Sequence, residues 1–114
     1  MKKVKKIYET FQFEGIELFD EDGYPTEEIL MVVEKWDIVK YGSDQLLELV
    51  RNLWNWREDL FILKGKKIKT LVLHTGGWSG NESIIHSLKR NYVFWGFYWE
   101  KHIRGGHYYF KIKK

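Results

Sequence analysis

Ile29, Val32, Val33 and Trp36 fall at i, i+3, i+4 and i+7, a spacing that predicts an amphipathic helix with one continuous apolar stripe. Pro25 or Thr26 opens it, and it stops near Asp37. Tyr41-Gly42-Ser43-Asp44 then breaks the chain and offers a cap. After the break, Leu46, Leu49, Val50, Leu53 and Trp54 repeat the helical period. Beyond Glu58-Asp59 the pattern changes. Leu60 to Leu63 and Ile68 to Thr75 read as two strands joined by Lys64-Gly65-Lys66-Lys67, and in the second Leu71 and Leu73 alternate with Thr70, Val72 and His74. Ile84, Ile85 and Leu88 mark a third helix, with His86, Lys89 and Arg90 on its other sides.

Val93 to Lys101 is apolar on both faces of a strand: Val93, Trp95, Phe97 and Trp99 on one, Phe94 and Tyr98 on the other. It is therefore expected as a central strand covered on both sides. His102 to Gly106 turns the chain back into a last strand on which Tyr108, Phe110 and Ile112 alternate with lysines. The order α-α-β-β-α-β-β predicts an α+β fold, with three helices packed on a mostly antiparallel sheet of about four strands. A length of 114 residues fits one domain, and no repeat or linker divides it. Residues 1–22 form a possible N-terminal arm of mixed pattern, ending in the turn cluster Asp20-Glu21-Asp22-Gly23-Tyr24-Pro25.

Composition narrows the classes. With no cysteine there are neither disulfides nor thiolate metal sites. The basic start Met1-Lys2-Lys3-Val4-Lys5-Lys6 is followed by Glu9, Gln12, Glu14 and Glu17, not by an apolar run, so no signal peptide is expected. The apolar run Tyr92 to Trp99 is too short to cross a bilayer. A soluble, cytoplasmic protein without a membrane partner is the expectation.

Charge is unevenly placed. From Ile7 to Leu63 fourteen acids face only Lys35, Lys40, Arg51 and Arg57, whereas from Lys64 onward eleven lysines and arginines face only Glu82 and Glu100. All four histidines lie in the basic half. The two halves can neutralise each other within the fold. Alternatively the basic half meets an anion, whether a nucleotide, a nucleic acid or an acidic protein patch.

Two glycine-rich segments carry the candidate chemistry. In Thr75-Gly76-Gly77-Trp78-Ser79-Gly80-Asn81-Glu82, the residues from Ser79 to Glu82 fit a capping box, which explains neither the paired glycines nor the indole. Glycines before a helix start let backbone amides converge on an anion. Arg104-Gly105-Gly106-His107 fits a hairpin turn, and it also supplies a guanidinium and an imidazole. If both loops share one end of the sheet, Trp78, Arg104 and His107 would enclose a nucleobase above a phosphate, with Thr75, Gly76, Gly77, Ser79, Asn81, Gly105 and Gly106 as further ligand contacts.

The motif Thr75 to Glu82, together with Gly23-Tyr24-Pro25-Thr26, Trp36, Leu46 to Arg51, Phe94-Trp95, Trp99 and Arg104 to Tyr108, resembles a family of small proteins encoded by bacteriophages and prophages. The family has no assigned activity. The resemblance implies a role in the infected cytoplasm, such as an accessory or anti-defence factor, and no particular reaction.

Two rival readings accompany a phosphate-binding protein. Glu82 with His107, or with His86 one helical turn away, would serve a small nucleotide-processing hydrolase, although no HExxH or other catalytic spacing is present. Asp20, Glu21, Asp22, Glu27 and Glu28 would let the acidic half imitate nucleic-acid phosphates and inhibit a host defence protein; an acidic turn leading into a helix N-terminus explains the same residues. Neither a metal nor a cofactor is expected.

Overall fold

In the computed structural model, which describes residues 15–113, the helices predicted from the first half begin where short polar side chains satisfy free backbone amides. The Thr26 hydroxyl accepts from the Ile29 N–H at 3.2 Å and opens α1 (Glu27–Lys35), whose first-turn acids Glu27 and Glu28 suit the positive end of the helix dipole. Asp37 caps the single turn α2 (Ile38–Tyr41), and α3 (Asp44–Leu53) follows. The expected stripes are buried in full: Ile29, Val32, Val33 and Trp36 of the first, and Leu46, Leu49, Val50, Leu53 and Trp54 of the second.

A short α4 (Arg57–Leu60) leads into β1 (Phe61–Lys64) and β2 (Ile68–His74). Next come α5 (Ser79–Arg90) and α6 (Tyr92–Tyr98), and then β3 (Trp99–Ile103) and β4 (His107–Lys113). Between the last two helices sits the buried Asn91. Its carbonyl oxygen accepts from Phe94 N–H to cap α6, while its amide donates to the carbonyls of Val33 and Trp36, each at 3.0 Å. One asparagine thus starts one helix and closes the end of another.

The four strands form one antiparallel sheet in the order β1-β2-β4-β3, so the two hairpins meet along β2 and β4. Directly paired residues of an antiparallel sheet point to the same face. Phe61, Leu71, Leu73, Phe110 and Ile112 all point to the face on which α1, α3, α5 and α6 build the core, and all are buried. No residue on the opposite face is fully buried.

Two expectations are corrected. The stretch from Val93 is not a central strand: Tyr92 to Tyr98 is helical, and the strand that follows it lies at the sheet edge with every residue exposed. An unbroken aromatic run satisfies a period of two and a period of 3.6 equally well. The asparagine cap and the i, i+4 contacts of Phe94 with Tyr98 (5.3 Å) and Trp95 with Trp99 (5.9 Å) belong to the helix. Three further short helices, α2, α4 and α6, therefore join the three expected. The described end of the N-terminal arm, from residue 15, is attached to the domain. Leu18 is buried, Phe19 bridges Pro25, and the Thr26 hydroxyl donates to the Glu17 carbonyl. The lysine-rich start lies outside the described residues.

Candidate functional sites at the sheet end and on its open face

Thr75 to Trp78 is a tight turn in which both central glycines have positive φ, 63° at Gly76 and 75° at Gly77, and Trp78 N–H closes it onto the Thr75 carbonyl. Thr75 N–H in turn donates to the Gly106 carbonyl at 2.9 Å, so β2 and β4 stay paired into their loops. The two glycine segments therefore adjoin at one end of the sheet. The approach is close enough that a Cβ on Gly106 would run into the Thr75 hydroxyl.

The expected three-sided pocket nevertheless does not assemble. Trp78 turns away from the Arg104 hairpin, lies flat over Gly80 and stacks on Tyr24 with ring centres 5.3 Å apart. Arg104 is exposed, and Trp78 shares a cleft with Trp56 and Gly23 instead. The capping box is absent as well: Trp78 occupies the N-cap position with no side-chain bond, and Glu82 N–H donates to its carbonyl. Ser79 is instead the first residue of α5. Thr75 and Asn81 are buried and serve the scaffold. The Asn81 carboxamide accepts from Asn55 N–H at 3.0 Å and donates to the carbonyls of Asn55 and Thr75, tying the α3–α4 loop to the glycine turn. Trp54 reinforces the tie, donating its indole N–H to the His74 carbonyl.

What these ties hold up was not anticipated from the sequence. Trp56 has φ 54°, a left-handed conformation that no other described non-glycine residue adopts, and its side chain is 55% exposed. With Trp78, Asn52, Asn55, Arg57 and Gly23 it lines a cleft of about 400 Å³. The available signal was the density of Trp54-Asn55-Trp56-Arg57, which the helical period of Trp54 absorbed.

On the open face of the sheet, His74 pairs with His107 across the strands, their Nδ1 atoms 2.8 Å apart. One ring must donate and the other accept, so at least one is neutral while the contact lasts. Burial, and then the His107 ring, hold the His74 imidazole below the usual histidine range. The next cross-strand row is Ile62, Val72, Tyr109 and Lys101, with the Lys101 ammonium 4.8 Å from the Tyr109 ring centre. The third is Lys64, Thr70 and Lys111, with Lys111 donating to the Thr70 hydroxyl at 3.4 Å. None of these positions carries an acid.

The catalytic pairing of Glu82 with His107 is not supported by the geometry. His107 belongs to the open face, whereas Glu82 lies on α5, on the helical side, near Tyr108. The sheet stands between them. Burial, followed by the Glu82 carboxylate, pushes the Tyr108 phenol above its ordinary value, with His102 stacked on its ring at 4.2 Å. Glu82 and His86 do share a groove with Glu27, Glu34 and Arg90 between α1 and α5. Among the described residues no three histidine or acidic side chains gather closely enough to hold a metal ion. No helix among them is long and apolar enough to cross a membrane. Comparison with protein-family models, with curated proteins and with solved structures yields no match.

Proposed function

We propose that this chain is a non-enzymatic binding protein that takes single-stranded nucleic acid on the open face of its sheet, with Arg104 and the His74–His107 pair at one end of the track. The observation that carries this reading is the composition of that face. Lys64, Lys101 and Lys111 stand on it with two histidines and Tyr109, and of the chain's sixteen acids only Glu100, in the bulge beside Lys101, falls within the four strands. Phosphates are attracted by the cations, and a half-exposed tyrosine on a flat sheet offers a ring on which a base can stack whatever its identity.

The rival readings have less behind them. Glu82 and His107 fall on opposite sides of the sheet. In the acidic turn, the Asp20 carboxylate accepts from the N–H groups of Asp22 and Tyr24, and Glu27 and Glu28 occupy the first turn of α1. The resemblance to small phage proteins supports a setting for such binding in an infected cell, as an accessory or anti-defence factor.

The test is fluorescence anisotropy with a labelled oligothymidylate or oligouridylate over a salt series. Log affinity is expected to fall linearly with log salt by about 0.7 per phosphate neutralised, and the Lys101→Ala/Lys111→Ala double variant to flatten that slope by about 1.4. Absence of binding at low salt, or a slope unchanged in the double variant, refutes the reading.

A further inference from the structure

We infer that the cleft between Trp56 and Trp78 is a second site, one that accepts a single nucleobase of a nucleotide. It rests on different observations from those made on the sheet face. A left-handed tryptophan is a costly conformation, and it persists only where the surroundings impose it. Here they do: both the N–H and the carbonyl of the preceding Asn55 are held by the fully buried Asn81. The outcome of that constraint is an indole kept more than half in solvent, where burial gains it little. Core packing does not account for Trp56, whereas a ligand with a flat apolar face does.

The rest of the lining specifies which flat ligand. Trp78 borders the cleft from the opposite loop, its ring engaged by Tyr24 and by Gly80, so it walls the site while Trp56 supplies the stacking face. Asn55 is in the lining, and its side-chain amide makes no hydrogen bond among the described residues, so a donor and an acceptor remain for the ligand edge. An amide that offers both is the group that reads the donor–acceptor edge of a base. Arg57 adds a cation to the lining beside Glu58, which also borders the cleft, the two 4.0 Å apart and thus not a tight ion pair. An indole face, an amide edge and a guanidinium match a base, its polar edge and a 5′-phosphate. An aliphatic or purely anionic ligand would leave the indole or the amide unused.

The experiment is quenching of tryptophan fluorescence by adenosine and uridine monophosphates, with ribose 5-phosphate and inorganic phosphate as base-free controls, on wild type, Trp56→Gly and Lys101→Ala/Lys111→Ala. Glycine adopts φ 54° without strain, so Trp56→Gly keeps the loop and is expected to melt no lower than wild type. At least one mononucleotide should bind wild type and the double-lysine variant alike, bind Trp56→Gly about tenfold or more weakly, and outcompete both controls. Binding of ribose 5-phosphate equal to that of the nucleotides, or Trp56→Gly binding as tightly as wild type, overturns the inference. So does oligonucleotide binding on the sheet without any mononucleotide binding, which leaves the sheet reading intact. Mononucleotide binding that depends on Trp56 upholds the cleft even if oligonucleotides ignore the lysines.

Discussion

Tyr109 and Phe110 are successive residues of β4 that face opposite sides of one sheet, and the environments they enter differ in kind. Phe110 lies in the core, fully buried, in ring contact with Phe94 and Trp95. Tyr109 stands half-exposed beneath an ammonium group. The covered face is apolar because burial leaves no alternative. The open face is under no such demand, yet it keeps Ile62, Val72 and Tyr109 at its centre and lysines of one sign around them. A face that only met water would gain from mixing charges across strands, since opposite pairs stabilise and like ones do not. A predominance of one sign is what the proposed binding of a polyanion requires.

The largest expected difference follows from that contrast. Phe110→Ala should lower unfolding free energy by roughly 3–5 kcal/mol through lost transfer energy and the cavity left behind, read from urea denaturation. Tyr109→Ala should cost under about 1 kcal/mol of stability and yet remove a stacking contact worth about 1–3 kcal/mol in oligonucleotide affinity. Equal stability losses at the two positions would mean that the open face is covered in solution and that the comparison fails.

A somewhat smaller effect probes the end of the sheet where the helical layer meets the loops. Asn81→Ala leaves the part-buried Asn55 N–H without a partner, at a cost on the order of 1–3 kcal/mol, while the Thr75 carbonyl keeps its bond from Trp78 N–H. The loss should be about 1–3 kcal/mol. It should come with faster hydrogen exchange at Asn55 and little change in the rows around Tyr109. Uniformly accelerated exchange would show instead that the loops and the open face behave as one unit.

How much of this could be read from the letters depended on whether a residue's period decided its place. The stripes of α1, α3 and α5 were legible because each has polar residues between its apolar ones. The first hairpin was legible because alternation and a glycine turn coincide there; of the second, the glycine turn and β4 were, while its first strand was sought in what is α6. Tyr92 to Tyr98 was not legible, since seven consecutive residues with six aromatic or aliphatic side chains carry no period at all. The site was half legible. Adjacent glycines rightly pointed to a shared end of the sheet, because strands paired in register bring their loops together. The direction of Trp78 depends on Tyr24, more than fifty residues earlier, and the strain at Trp56 depends on Asn81. Neither interaction leaves a local mark. That the lysines of β1, β3 and β4 share a face follows from a β-bulge between Trp99 and Lys101, which resets the alternation of the edge strand.

The smallest effect is the most discriminating, because it moves stability and affinity in opposite senses. The His74 imidazole titrates below its usual value in the folded chain, through burial and then through His107, so the unfolded chain takes up the proton first. Its contribution to stability is therefore complete above about pH 6.5, the ordinary histidine value, and is lost as pH falls through the depressed folded value. Nothing comparable titrates among the apolar residues of the covered face. On the open face the same proton adds positive charge beside Lys101 and Arg104. By linkage, a bound polyanion must raise the affinity of His74 for that proton just as the proton raises affinity for the polyanion. As pH falls below about 6.5, wild type should melt at progressively lower temperature while binding oligonucleotide more tightly at fixed salt. His74→Phe should flatten both trends and leave the dependence on Tyr109 intact. Parallel trends, with stability and affinity falling together, would place the histidine pair in the scaffold and leave the lysines alone to account for binding.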